Sequence, residues 1–366
     1  MKTHIIILLY IVLRTVSGQL NDHRDPTLSD GYNQSKIQMR QYDHHDPIPS
    51  DVYNHSKVHM KQDGRHQPEY YSYEQPCPDA EDIAPCVCTY DTVSSAMDLD
   101  CSAVESEEQL KQIFKADFPF KNFNQFNLTG NNNIKVLELG VFNGISFEII
   151  HIEENSLEVI ELHALDSCYE TATEIYLYHN KITSFPFDDV SLFSKLCYFT
   201  LSYNPLSVIP ADAFHGSTAL VYLYMSDNNA DIVGTFQDLP NLRNIYLGYN
   251  AITTIPVHFI KTGSSDLIYI DLHGNNIVSV EPVGFDIVDG LDIDIGGNSL
   301  STLDEATWRL HLEAGGTLSA SYNPLLCGCD IAWLFAEDQL LEHVHYARCT
   351  DGKFLHDLDP SIFDNC

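Results

Sequence analysis

Positive charge is what this chain has least of: 19 lysines and arginines stand against 52 aspartates and glutamates in 366 residues, a formal net charge of −33. A polyanion of that strength repels nucleic acid and anionic membrane surfaces, so neither is an expected partner. It attracts basic proteins, cationic peptides or calcium instead. Long apolar runs are equally scarce. The one such run, residues 5–13 behind Lys2, is too short to cross a bilayer and has the layout of a secretory signal, with Ser17 and Gly18 as the small residues of a cleavage point. No second run follows before Cys366, so neither a membrane anchor of the helical kind nor a glycolipid tail is predicted. Catalytic signatures are missing too: Gly-x-Ser-x-Gly, His-Glu-x-x-His and a glycine-rich phosphate loop are all absent. His179 near Glu174 and His273 near Asp271 read as solvated surface residues. The expectation is a non-enzymatic chain that needs no cofactor and no metal.

What the chain has in abundance is a period. Nine times a hydrophobic pattern at the first, fourth and sixth positions is followed by asparagine at the ninth, every 22 to 25 residues. The units are Phe123/Phe126/Leu128/Asn131, Phe147/Ile150/Ile152/Asn155, Ala172/Ile175/Leu177/Asn180, Leu196/Phe199/Leu201/Asn204 and Leu220/Leu223/Met225/Asn228. Leu242/Ile245/Leu247/Asn250, Leu267/Ile270/Leu272/Asn275, Gly290/Ile293/Ile295/Asn298 and Gly315/Leu318/Ala320/Asn323 complete the series. In a strand alternate side chains point to opposite faces, so positions four and six enter the core together. Asparagine then offers donors and an acceptor to backbone groups left unpaired where the chain turns away. Phe185-Pro186, Ile209-Pro210 and Ile255-Pro256 stop a continuing ladder and send the chain across the opposite side. The period predicts an α/β solenoid, a leucine-rich repeat horseshoe: a parallel concave β-sheet, an irregular or short-helical convex side, and disulfide caps at both ends.

The domain reading follows the cysteines. Residues 1–18 are the signal, 19–76 a tail, 77–101 an N-terminal cap, 102–326 the repeats and 327–366 a C-terminal cap. Ten cysteines, an even number, suit an oxidising compartment. Cys77, Cys86, Cys88 and Cys101 precede the first repeat, while Cys327, Cys329, Cys349 and Cys366 follow the last, where a solenoid would otherwise expose its core. Cys168 and Cys197 lie in adjacent repeats and are predicted to staple them. Cys327, Cys329, His343 and His345 also have the composition of a zinc site, but in a secreted chain disulfides are preferred. In the tail, residues 22–41 recur as 43–62 with twelve of twenty positions identical, and apolar residues are too sparse to bury a core, so disorder is predicted. Its histidines, His23, His44, His45, His55, His59 and His66, read as a solvated linker rather than as ligands. Sequons at Asn33, Asn54 and Asn127 permit glycosylation.

Strand alternation assigns positions three, five, seven and eight to the concave face. There the middle repeats carry Tyr176, Tyr178, Tyr198, Tyr203, Tyr222, Tyr224, Tyr246, Tyr249 and Tyr269, followed by Asp271, Asp292 and Asp294. Tyrosine combines large contact area with few rotors and a hydroxyl, which suits a binding face. These twelve residues are the candidate contact site for a basic or amphipathic protein partner.

Repeats such as residues 196–216, the Gly140-Val141-Phe142-Asn143-Gly144 stretch and both cysteine groups resemble extracellular leucine-rich repeat proteins from residue 77 onward. Within that class the acidic, tyrosine-rich repeats are most similar to the secreted arthropod proteins typified by the non-catalytic leucine-rich repeat subunit of deep-sea shrimp luciferase. The resemblance implies first-to-third and second-to-fourth disulfides in each cap, and an accessory subunit that accompanies a partner without doing chemistry. The alternative expectation is an extracellular-matrix or innate-immune component binding calcium, glycan or basic ligands.

Overall fold

The computed structural model describes residues 76–232, 236–337 and 339–366. The signal-like segment, the tandem tail with its histidines, and the sequons at Asn33 and Asn54 lie outside the described residues. Twelve strands form one sheet in strict chain order. They are β1 (Val87–Tyr90), β2 (Met97–Asp100), β3 (Asn122–Asn127), β4 (Ser146–His151), β5 (Glu174–Tyr176) and β6 (Tyr198–Thr200). The sheet continues through β7 (Tyr222–Tyr224), β8 (Asn244–Tyr246), β9 (Tyr269–Asp271), β10 (Asp292–Asp294), β11 (Thr317–Ser319) and β12 (Val344–His345). Only β1 runs antiparallel, against β2; every later pairing is parallel. Strands β3 to β11 are the nine repeats, and β2 and β12 carry their columns into the caps.

The register stacks like positions on like: Ile175 pairs with Phe199, Phe199 with Leu223, and Leu223 with Ile245. At positions four and six of all nine repeats the residues are at most 1 % exposed. The first position departs from the pattern at Gly290, which turns with φ +70 while Leu291 fills the core. On the convex side the proline pairs do what their chemistry requires. Strands Val208–Ile209 and Thr254–Ile255 stop at Pro210 and Pro256, and Pro186 opens a 3-10 turn at Phe187–Leu192.

The asparagines form a buried ladder. Asn250 Nδ2 donates to the carbonyls of Met225 (2.9 Å) and Leu247 (3.0 Å), and its Oδ1 accepts from the Ala230 amide (3.0 Å). Asn275 and Asn298 repeat the pattern one and two turns on. One side chain thus satisfies backbone groups of two turns that the bend would leave orphaned.

Both ends are closed. At the N-terminal end helix α1 (Glu107–Ile113), capped by Ser106, lays Leu110 and Ile113 against the core. Beyond it Phe114, Phe126, Phe142 and Phe147 pack with ring centroids 4.9–6.3 Å apart. Disulfides Cys77–Cys88 and Cys86–Cys101 close this end. At the other end helix α2 (Glu305–Glu313) buries Trp308, and Trp333 Nε1 donates to the Leu303 carbonyl at 3.0 Å. Disulfides Cys327–Cys349 and Cys329–Cys366 occupy both cysteines of the zinc alternative, leaving His343 and His345 without thiolate partners.

The predicted staple between Cys168 and Cys197 is corrected: both are free thiols. Register is the reason. The Cys197 amide donates to the Thr173 carbonyl, so its neighbour in the previous repeat is Thr173, five residues past Cys168. Cys168 sits fully buried in the 3-10 turn Asp166–Cys168, in the core layer rather than at the sheet edge.

Candidate functional site

On the concave face the short strands other than β6, where Thr200 is also buried, show one buried residue flanked by two half-buried ones, so positions three and five line up in two columns. Parallel strands about 4.8 Å apart hold neighbouring rings at stacking distance. A continuous aromatic ladder results. His151 stacks on Tyr176 at 4.6 Å, Tyr176 meets Tyr198 at 4.8 Å, and Tyr198 meets Tyr224 at 5.0 Å. Tyr224 stacks on Tyr246 at 4.4 Å and 5°, and Tyr246 reaches Tyr269 at 5.4 Å. The ladder zigzags for a sequence reason. Thr200 occupies position five of β6, so contact crosses to Tyr198 at position three, returns to position five at Tyr224, and crosses again at Tyr269 because Asp271 takes position five. Tyr222 stands beside it, 6.1 Å from Tyr198.

Burial pushes the phenols of Tyr176, Tyr198, Tyr224 and Tyr269 above their ordinary range. Burial is the leading cause for Tyr176, Tyr224 and Tyr269, aided by Glu174, neighbouring phenols and Asp271 respectively. Tyr178 is pushed up to about 12 by burial and by Glu153 and Glu154. The tyrosines therefore stay neutral and keep their hydroxyls as donors, as Tyr176 does to Glu174 at 2.6 Å. At the same end His151 Nδ1 lies 3.1 Å from Glu153 Oε1, while Glu153 Oε2 is buried without a hydrogen-bond partner.

Position eight forms a further column, with a backbone constraint of its own. Gly130, Glu154, His179, Tyr203, Asp227, Tyr249, Gly274, Gly297 and Tyr322 all have φ between 53 and 69, the left-handed region. Glycine adopts it freely, whereas tyrosine there is sterically disfavoured and persists where the fold over-determines it. The result is outward presentation: Tyr203 is 43 % exposed, Tyr249 55 % and Tyr322 75 %. His179 stacks on Tyr203 at 4.2 Å. Tyr249 lies over Gly274, where an added Cβ would come 2.7 Å from the ring.

Toward the C-terminal end the columns turn acidic, and glycines make room for the acids. A Cβ on Gly248 would stand 2.9 Å from the Asp271 carboxylate, and one on Gly296 would stand 3.0 Å from Asp294 Oδ1. Settled over backbone in this way, Asp271 is pushed up to about 6, chiefly by burial and further by Asp294 and Asp227, against the His273 amide that it accepts at 2.9 Å. His273 is raised chiefly by the Asp294 carboxylate, 3.7 Å from its Nδ1. Asp292 accepts from Thr317 Oγ1, and Asp294 from the Gly296 amide.

The structure thus brings Tyr176, Tyr198, Tyr224, Tyr246 and Tyr269 into one ladder, with Tyr178, Tyr203, Tyr222 and Tyr249 alongside and Asp271, Asp292 and Asp294 at its end. Sequence reading missed His151, His179 and His273 as ring partners, and Tyr322 altogether. Their positions, five, eight, seven and eight of their repeats, were the available signal. Asn127 sits at position five of β3, its Oδ1 accepting from Gln125 at 2.9 Å, so that sequon belongs to the N-terminal end of the same face. Across positions three, five, seven and eight the nine repeats hold ten tyrosines, three histidines, seven carboxylates and no lysine or arginine.

The leucine rich repeat family model matches residues 170–229 and 240–300. The non-catalytic subunit of Oplophorus-luciferin 2-monooxygenase from Oplophorus gracilirostris is 32 % identical over 314 residues, covering 78 % of this chain and 87 % of that protein. Lumican from Bos taurus is 28 % identical over 207 residues, 46 % of this chain and 59 % of lumican. Among solved structures, the TLR13–ssRNA13 complex matches with a TM-score of 0.51 at 26 % identity, over 61 % of this chain and 31 % of that one. An octameric complex of Latrophilin 3, Unc5D and FLRT2 matches with a TM-score of 0.50 over 65 % of this chain and 81 % of that one; at 22 % identity it shows the fold alone. The chain therefore belongs to the leucine-rich repeat family, as a relative of the non-catalytic subunit of Oplophorus-luciferin 2-monooxygenase.

Proposed function

We propose that this chain is a secreted, non-catalytic binding module that holds a protein partner on its concave face, as an accessory subunit does. The observation that carries the reading is the aromatic ladder across β4 to β9: six rings in successive contact, half-exposed, one on each strand. Rigid aromatic surface with hydroxyl donors is the composition of interface hot spots, because burying it costs little side-chain entropy. The name of the Oplophorus relative, a non-catalytic subunit, supports an accessory role. The leader-like segment and four disulfides support export to an oxidising compartment.

The test is affinity capture with the purified chain from its native fluid at low salt, beside a variant carrying Tyr198→Ser, Tyr222→Ser, Tyr224→Ser and Tyr246→Ser. A stoichiometric protein that the wild type retains and the variant loses is the expected outcome. Equal capture by both would overturn the assignment of the face, and recovery of glycans or calcium without a protein would overturn the accessory role.

A further inference from the structure

We infer that Asn127 carries an N-linked glycan, and that this glycan covers the N-terminal end of the concave face and leaves the tyrosine ladder as its open part. The inference rests on the reading of the chain as exported and of this face as the binding surface, and it says which part of the face a partner reaches.

Asn127-Leu128-Thr129 is the one sequon among the described residues, and its place in the repeat sets it apart from the structural asparagines. None of the nine ladder asparagines is followed two residues on by serine or threonine. Those nine are buried, whereas Asn127 stands half-buried at position five, the last residue of β3. Its Oδ1 accepts from Gln125 Nε2 at 2.9 Å, and among the described residues its Nδ2 donates to no acceptor. The amide is held by its oxygen, with the nitrogen left to carry a sugar. Attachment keeps that oxygen in place. Nδ2 forms a bond to C1 of the first sugar and gives up one proton, while the bond from C1 to the diphosphate of a lipid-linked oligosaccharide donor breaks and the lipid diphosphate leaves with the electron pair.

The surroundings agree. Every residue of β2 and β3 that is not buried is an aspartate, asparagine or glutamine: Asp98, Asp100, Asn122, Asn124, Gln125 and Asn127. Asp98 and Asp100 pair with Gln125 and Asn127 across the register, so the same two columns are polar on both strands. Rings begin at His151 and Tyr176, one and two strands farther on. Two steps of about 4.8 Å put Tyr176 about 10 Å from Asn127. A bulky, hydrated glycan stands over polar surface that stays wet, where a protein partner would have to strip water from amides and carboxylates. It covers β2 and β3 and borders His151, and the rings from Tyr176 to Tyr269 remain open.

The test uses the full chain secreted from insect cells, its tryptic peptides read by mass spectrometry before and after an amidase that releases N-linked glycans and converts the asparagine to aspartate. The expected result is that the peptide Asn122–Lys135 appears only after the amidase, with Asn127 converted. Thr129→Ser should keep this behaviour, and Thr129→Ala should give the bare peptide directly. A bare peptide from secreted wild type would overturn the inference, whether or not Asn33 and Asn54 are occupied. Retention of the chain inside the cells with all three sequons bare would overturn the export reading and this inference with it. Coverage of the face is read by affinity capture: Thr129→Ala should hold the same protein partner within about twofold of wild type. A change of about tenfold or more would put the partner on β2 to β4 and overturn the confinement. If the four-serine ladder variant captures as well as wild type while Asn127 is occupied, the ladder reading falls and the glycan stands.

Discussion

Asp271 shows how a single position couples the fold to the site. Gly248 beneath it lacks a Cβ, the carboxylate settles over backbone beside Asp294, Asp227 and His273, and burial lifts it from its ordinary 3.8 to about 6. The folded state therefore binds a proton more tightly than the unfolded chain does. Stability falls as pH rises from about 4 through 6, because the carboxylate must then ionise in a buried, acidic setting. A rise from 3.8 to about 6 corresponds to at most about 3 kcal/mol at neutral pH. Asp271→Asn keeps an oxygen for the His273 amide and removes the charge. It should raise the melting temperature at pH 7 by several degrees, with the gain shrinking toward pH 4; an equal gain at both values would locate the effect elsewhere. His273 works in the same sense: raised by Asp294, it adds stability below its unfolded value that is lost as pH climbs through the folded one.

At the scale of the repeat, the asparagine and the residue before it act together. Asparagine serves two turns of backbone, and the left-handed residue at position eight aims its side chain out of the concave rim. Asn250→Ala leaves the buried carbonyls of Met225 and Leu247 and the Ala230 amide without this partner. The expected cost is about 2–4 kcal/mol in urea denaturation. A loss under about 0.5 kcal/mol would mean that water replaces the side chain. The repeats themselves were legible from residue spacing alone. Register was not legible in the same detail: Cys168 and Cys197 are adjacent by repeat but five residues out of step across the ladder. Sequence order says which repeat a residue belongs to; backbone pairing says which residue it meets.

For the whole molecule, charge sets the balance. A net charge of −33 makes the chain repel itself, most along a sheet face with carboxylates and no lysine or arginine. Raising sodium chloride from about 0.05 to 0.5 M should raise the melting temperature of the free chain while weakening capture of a basic partner. Scanning calorimetry and binding read at both salts check the two halves; salt that strengthens binding would point to an apolar partner. The caps matter at this scale too, since each repeat is supported only by its neighbours and the terminal ones need a cover. Here β2, β12 and four disulfides supply it.

Residue chemistry repeated at a near-constant interval was enough to determine the solenoid, its core positions and the face that carries the tyrosines, because strand alternation and backbone satisfaction are local requirements that each repeat meets on its own. The ring partners were decided only by tertiary structure. Whether Tyr198 touches Tyr224 or Tyr222 most closely, whether His151 joins the ladder, and whether Asp271 is buried depend on side chains from neighbouring strands and on a glycine one repeat away. Those contacts arise from the parallel register, which brings together residues more than twenty positions apart and is written in no single repeat.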